Sequence, residues 1–588
     1  MSLLRTSLFR TSFLTAAALT ALSSALLAAP AQPRMALPGG MTPLASVSQP
    51  LGVTAPSAAV PLAISLPLRN QAQMQQLLQD LYNPSSSRYG QFLTPAEFAA
   101  QFGPTQADYN AVIAFAQSQG LTVTHTHPER TLLDVSGPAS AIQSAFGVTL
   151  RQYVSPAGAV FHAPDSAPSV PASLAGRISA VCGLDTSVKR STNLQQRQSV
   201  SISNAASVPP GSGPFGGVVP TDIRTAYNLT STGLTGAGQT LAVFELDTYT
   251  PKDVLRYERN FFLPTVPLQN VLVDSTDPNF PLYPGGGTAE VVLDIDLQIA
   301  LAPKAAKVMV YIAPNTDQGV VDSYQQIATD DQAKSISSSW ATFEDEVSGT
   351  SLFGEAVAFQ QMALQGQSIF TSAGDTGGVD RNTGNLSAGD PSGQPFVCSV
   401  GGTTLSVQSP GKNEDYLSET TWNDGPASAG GGGVSIFWPV PFYQKNAAGL
   451  TAKAFPKSGV SATMRNVPDI SLNADPATGY LIYVTDPSAG AGYFQYGGTS
   501  CSAPLWAGFA ALVNQSRANA SKGTIGFINP ALYSFGPGGA NAARYSLDFH
   551  DIADGSNNNP FLAVPGYDDA TGLGTFNGAN LISDLTGF

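Results

Sequence analysis

The sequence predicts an α/β protein: a large unit built on a parallel sheet covered by helices, preceded by a smaller unit of mixed strands and helices. Three observations carry that prediction. The chain has 588 residues, more than one hydrophobic core usually serves, so at least two folded units are expected. Beyond Pro220, short apolar runs of strand character alternate with segments of helical spacing, the order that lays parallel strands side by side under helices. Before them a separate α/β pattern runs from Pro61 to about Asp185, and a stretch almost without apolar periodicity divides the two.

The chain opens on residues 1–31, where Arg5 and Arg10 precede an apolar run ending in Ala29-Pro30-Ala31. A basic start, a short apolar centre and a small-residue site describe a cleaved secretion signal. That run is short for a bilayer span and no later stretch qualifies as one, so a secreted, extracellular product without a membrane anchor is expected. A Pro/Ala/Ser-rich lead then reaches about Ala59. In the first unit, 71–82, 95–102 and 106–119 have helical spacing, and 121–127 and 131–135 alternate as strands. A helix at 140–146 and a strand near 148–153 complete it. From 187 to 217, Ser, Gln, Asn, Pro and Gly dominate, which reads as an exposed, protease-accessible linker suited to processing. In the large unit, strands are expected at 240–246 (TLAVFEL), 307–313 (KVMVYIA), 333–340 (AKSISSSW) and 367–374 (QSIFTSAG). The run Gly430 to Gly433 is either a loop whose backbone approaches a ligand or a plain flexible connection.

Charged residues make up 12% of the chain and acids outnumber bases 41 to 27. That balance argues against nucleic-acid or anionic-membrane partners. A chain with few charges also has few paired carboxylates to lose in acid. Three cysteines, Cys182, Cys398 and Cys501, are too few for a disulfide scaffold, and pairing of Cys398 with Cys501 is open.

Ser500, in Gly497-Gly498-Thr499-Ser500-Cys501, precedes the apolar stretch LWAGFAALVNQ and so stands at a helix start, where free backbone N–H groups and the helix dipole favour a nucleophile. A helix cap by Thr499 or Ser500 accounts for the same residues. A serine nucleophile needs a base, yet of the four histidines only His550 follows the linker, beside Asp551-Ile552-Ala553-Asp554 in what reads as an oxygen-rich turn. In Gly287-Thr288-Ala289-Glu290-Val291-Val292-Leu293-Asp294, two acids share one face of an apolar helix. Their repulsion disfavours the helix, and sharing a proton would relieve it. Asp375, in Ser372-Ala373-Gly374-Asp375, follows an apolar strand, where parallel sheets place functional groups; an ordinary Gly-rich turn explains it as well.

Together these residues resemble the sedolisin family, the serine-carboxyl peptidases, over nearly everything from about residue 60 onward. The resemblance implies a subtilisin-like catalytic domain at 218–588, behind an α+β antiparallel-sheet activation prodomain at 32–186 with its folded core at about 60–185. It implies a self-processing zymogen of an acid serine endopeptidase in which Ser500 forms the acyl-enzyme, Glu290 is general base, Asp294 positions it, and protonated Asp375 donates to the oxyanion. Glu245 and Trp340 match family positions that would hold Asp294. The stretches around Phe549-His550-Asp551-Ile552 and Pro565-Gly566-Tyr567-Asp568 resemble the family's calcium loop, which implies one structural Ca²⁺ held by Asp551 and Asp568 side chains and by carbonyls of Ile552, Val564 and Gly566, an all-oxygen set. Val564, where relatives often have Gly, and Cys501, where Ala is common, depart from the pattern. Implied partners are protein and peptide substrates and the chain's own prodomain as intramolecular inhibitor, in a monomer. A histidine-based subtilisin-like peptidase and a non-catalytic adhesin remain alternatives.

Overall fold

The apolar runs of the large domain become strands in the order their composition demands. The computed structural model describes residues 33–37, 39, 42–197, 211–274, 286–347, 349–380, 383–409, 413–486 and 490–588. The expected signal, and residues 198–210 of the expected linker, lie outside them. The main sheet runs Leu268–Leu272, Lys307–Ile312, Thr240–Glu245, Ser335–Ser338, Ser368–Ser372, Cys398–Ser409, Asn413–Thr421, with Ile470–Asn473 also paired to Cys398–Ser409. Every pairing is parallel except the last of the series, Cys398–Ser409 with Asn413–Thr421.

Register decides which helices lie on which face. Val243, Ser337 and Phe370 share one cross-strand row, and Phe244, Ser338 and Thr371 the next, so the two rows point to opposite sides. On the first side Phe370 stacks on Trp506 of helix Thr499–Asn519, and Gln298 of helix Thr288–Leu301 donates to Ser337 Oγ at 2.9 Å. On the other side Phe244 stacks on Tyr324 of helix Asp317–Asp330, which meets Phe359 of helix Gly349–Leu364. The first two helices cross closely: a side-chain carbon at Gly508 would lie 3.1 Å from Leu301 Cβ. Both are buried around most of their circumference, the first with Glu290, Asp294, Asp296 and Gln298 buried among its apolar residues.

The first domain pairs a four-stranded antiparallel sheet, in the order Thr122–Thr126, Leu132–Pro138, Ala59–Ser65, Ala180–Cys182, with a three-stranded one of Gln49–Val53, Leu150–Val154 and Val160–Pro164. Its helices Gln71–Leu81, Pro95–Gln101, Gln106–Ser118 and Ala139–Phe146 fall where the spacing predicts them. Strand Ala59–Ser65, with Pro61 in it, lies inside the sheet and is invisible to patterning because proline reads against a central strand. The domain sits on the two helices of the second face. Ala63, Leu132 and Cys182 pack with Val321, Thr131 Oγ1 donates to Gln325 Oε1 at 3.0 Å, and Leu93 N–H donates to the Leu364 carbonyl at 2.9 Å.

The expected exposed linker is corrected over its first part. Ser191–Thr192 pairs antiparallel with Trp340–Ala341, and Gln195–Gln196 with Tyr496–Gly497. Arg190 is buried. Polar side chains hide this because strand pairing uses the backbone alone.

Candidate active site

Four adjacent strands of the main sheet end on one edge: Glu245 closes one of them, and the segments just beyond the carboxyl ends of the other three carry Asn315, Ser339 with Trp340, and Asp375. The helix Thr499–Asn519 starts at the same edge. Its cap is Gly498, at φ 102°, a conformation that favours glycine. Neither Thr499 nor Ser500 is therefore the cap. Thr499 instead ties the helix start to Asp375, whose Oδ1 accepts from Thr499 N at 2.8 Å and from Thr499 Oγ1 at 2.9 Å.

Ser500, the second helical residue, has a backbone N–H with no partner inside the helix. That N–H donates to the Asn193 carbonyl oxygen at 3.2 Å. A side-chain carbon at Gly498 would lie 2.1 Å from that same oxygen and 2.6 Å from Asp375 Oδ2. The Asn193 carbonyl thus sits at a point flanked by the Ser500 N–H and the Asp375 carboxyl. Asn193 N–H in turn donates to the Ser339 carbonyl at 3.3 Å, and Asn193 Nδ2 to Ser372 Oγ at 2.7 Å.

Glu290 and Asp294, one turn apart on helix Thr288–Leu301, are both fully buried. Asp294 Oδ1 accepts from Ser339 Oγ at 2.8 Å, and Glu245 Oε2 from Trp340 Nε1 at 2.8 Å. Trp340 lies against the helix start, where a side-chain carbon at Gly287 would be 2.4 Å from its ring. Among the described residues neither Glu290 oxygen nor Ser500 Oγ makes a hydrogen bond of normal length, although the Ser500 hydroxyl is close enough to favour the ionised carboxylate. Burial first, and then the Asp294 charge, push Glu290 well above the usual carboxylate range. Burial lifts Asp294 to about 8, opposed by its bonds to Ser339 and Glu245. Glu245 is also raised, by burial and then by Asp294. Three acids in series, with no cation bonded to any of them among the described residues, cannot all ionise together, so the group keeps protons that exposed acids would release while still sharing them.

Sequence reasoning missed Ser339 and Thr499 as partners of these acids; the run Ser337-Ser338-Ser339 at a strand end was the available signal. It also left the glycine run open. Gly431 N–H donates to the Gly374 carbonyl at 2.7 Å, and side-chain carbons at Gly431 and Gly432 would lie 2.1 Å from the Ala373 carbonyl and 1.9 Å from the Asp569 carbonyl. The loop is therefore packed against the Asp375 turn. No histidine joins the site: among the described residues none of the four bonds to Ser500, Glu290, Asp294 or Asp375. His550 stacks on Tyr416 with centroids 3.7 Å apart, and burial lowers it to about 4. Cys182, Cys398 and Cys501 are all free and buried.

The expected calcium residues converge elsewhere. Asp551 Oδ2 accepts from Gly566 N at 3.0 Å and Asp568 Oδ2 from Val564 N at 2.9 Å, while Tyr545 OH donates to Asp551 Oδ1 at 3.1 Å and to the Gly566 carbonyl at 3.3 Å. Ile552 is buried beside them. Asp551 and the Gly566 carbonyl meet at Tyr545, Asp568 is held by the neighbouring backbone, and no basic side chain is bonded to either acid among the described residues; oxygen donors of this kind would suit a hard dication.

Two family models match the chain: the Pro-kumamolisin activation domain over residues 48–187 and the Subtilase family over residues 302–527. Kumamolisin from Bacillus sp. (strain MN-32) is 35% identical over 499 residues, covering 83% of this chain and 85% of that protein. Sedolisin from Pseudomonas sp. (strain 101) is 28% identical over 544 residues, covering 88% and 86%. The solved structure of Pseudomonas sedolisin, a serine-carboxyl proteinase, complexed with two molecules of pseudo-iodotyrostatin, superposes with a TM-score of 0.54 at 27% identity, covering 62% of this chain and 96% of that one. The large domain is subtilisin-like and the first is an activation domain. The chain belongs to the sedolisin family of serine-carboxyl peptidases.

Proposed function

We propose that this serine peptidase is a secreted acid endopeptidase, made as a monomeric zymogen that cuts its own linker, with Ser500 as nucleophile, Glu290 as general base, Asp294 as its positioning partner and Asp375 as oxyanion donor. The observation that carries the reading is the Asn193 carbonyl, held by the Ser500 N–H beside Asp375. Strand pairing on both sides, at Ser191–Thr192 and Gln195–Gln196, lays this stretch out as an extended substrate. The bond between Asn193 and Leu194 is then the one presented for cleavage.

Chemistry follows from the neighbours. Glu290 removes the Ser500 hydroxyl proton as Oγ attacks the carbonyl carbon of residue 193, and charge moves onto the carbonyl oxygen. The Ser500 N–H and a proton on Asp375 stabilise that oxygen. The C–N bond breaks, the amine of residue 194 takes the proton from Glu290, and residue 193 remains as an ester on Ser500. Water, deprotonated by Glu290, then releases the acid and restores the serine. Asp375 donates only while protonated, so both turnover and maturation belong to acid pH. Glu290 and Asp294 titrate as a pair, and one proton shared between them leaves a single carboxylate as base. Ser339, and Glu245 steadied by Trp340, fix Asp294 in place.

Residues 1–31 would direct export. One Ca²⁺ would be held by Asp551 and Asp568 with carbonyls of Ile552, Val564 and Gly566, where it supplies positive charge that pins the loop. The full-length Ser500→Ala chain, incubated alone in acid, tests the proposal. It is expected to stay intact while the wild type yields a new N-terminus at Leu194; maturation of the variant at the wild-type rate would overturn self-processing.

A further inference from the structure

With Asn193 as the first residue before the cleaved bond, Arg190 is the fourth. Its side chain is 2% exposed, yet every group that holds it belongs to the catalytic domain. Nη2 donates to Glu355 Oε1 on helix Gly349–Leu364 and, at 2.9 Å, to Asp390 Oδ2 on the short strand Gly389–Asp390. That strand pairs with Thr342–Phe343, and the strand Trp340–Phe343 pairs through Trp340 and Ala341 with Thr192 and Ser191. The wall that fixes the register of the presented chain thus continues directly to Asp390. Asn315 grips the backbone of the same residue: its Oδ1 accepts from Arg190 N at 3.0 Å and its Nδ2 donates to the Arg190 carbonyl at 2.7 Å.

These contacts divide into two kinds. The Asn315 amide reads only N–H and C=O, which any residue supplies. Glu355 and Asp390 read a side chain, and they need a cation there, because two buried carboxylates without one repel each other and lose their solvation together. Cleavage at Asn193–Leu194 and departure of the first domain would carry Arg190 away and leave both acids facing the same place along the cleft. Among the described residues no other basic side chain bonds to either of them.

We propose that the mature enzyme selects substrates with arginine at the fourth position before the cleaved bond, with Glu355 and Asp390 as the residues that recognise it. The proposal rests on residues 190–196 lying as a substrate does. Arginine is favoured over lysine because its guanidinium is more weakly hydrated than an ammonium and so enters a buried pair of carboxylates at a lower desolvation cost; both bonds here come from one nitrogen.

The test uses enzyme matured from the full chain and three peptides that differ only at that position: arginine, its neutral isostere citrulline, and glutamate. Rates are measured at about pH 5, where solvated carboxylates are ionised, and the cut bond is mapped by mass spectrometry. The arginine peptide is expected to exceed citrulline by about tenfold or more in kcat/KM, as a charge-assisted bond in a cleft allows, with glutamate slowest. In the double variant Glu355→Gln, Asp390→Asn the arginine-to-citrulline ratio should fall close to one. If that variant does not mature, the wild-type ratio decides alone. Equal rates for arginine and citrulline in the wild type, both cut at the intended bond, would overturn the proposal and leave Arg190 as a clasp of the zymogen. Failure of the underlying reading looks different: none of the peptides is cut, or all are cut at another bond, which removes the register and the proposal with it.

Discussion

Two acids buried in the large domain meet opposite fates. Asp469 faces Arg465, itself fully buried, through two parallel bonds of 2.6 and 2.5 Å, and also accepts from Ser399 N, Asn529 Nδ2 and Tyr533 OH. Glu290 is equally buried but, among the described residues, has no cation and no hydrogen bond of normal length. Burial disfavours charge in both places; one is compensated by geometry, the other keeps its proton affinity high. The first arrangement fixes structure, and the second suits the general base proposed above, whose proton would be exchanged with Ser500. That difference, more than the presence of buried acids, marks the candidate active site.

The sharpest break of the comparison is Arg465→Met. It strands Asp469 as an uncompensated charge and should cost about 3–5 kcal/mol, read as a large fall in thermal midpoint, while any folded fraction keeps the wild-type pH–rate profile. Asp375→Ala should lose about 10²–10³ in kcat with a much smaller change in stability. Asp375→Asn sharpens the point. Its Oδ1 can keep the Thr499 bond while its amide donates without titrating, so part of the activity should return and the pH profile should widen toward neutral.

The same comparison predicts an unusual stability curve. Asp294 has a higher pKa in the folded chain than its ordinary 3.8, reaching about 8. A group raised in this way stabilises the fold fully below its unfolded pKa and loses that contribution as pH climbs through the folded one. Thermal midpoints should therefore decline between about pH 4 and 8, and Asp294→Asn should flatten the decline. The smallest effect is expected from Trp340→Phe, which removes the indole bond to Glu245. A loss of about 1–2 kcal/mol, close to tenfold in kcat/KM, with a shifted pH profile would show that Glu245 acts through Asp294; an unchanged pH profile would reduce Trp340 to packing.

What the sequence disclosed follows the same physics. Apolar periodicity located most strands and helices because they are buried on predictable faces. The pair Glu290 and Asp294 was legible because charges one turn apart in an apolar helix have no structural reason to be there. Ser339 and Thr499 were not legible, since a serine or threonine at a strand end or helix start is ordinary and only distance reveals its partner. The stretch Lys189 to Gln196 was misread for a deeper reason: backbone pairing and a guanidinium pocket leave no hydrophobic signature. Strand Ala59–Ser65 was hidden by Pro61, and the glycine run looked like slack although close packing against Ala373 and Asp569 requires it.

The most direct test is the pH dependence of kcat/KM for cleavage of a denatured protein, from about pH 2 to 8, by wild type and Glu290→Gln matured in acid, the variant with help in trans from active enzyme later removed. Carboxylate-base catalysis predicts wild-type activity confined to the acid side and a loss of about 10³–10⁴ in the variant across the whole range. Activity that peaks near neutral pH and survives the substitution would contradict it.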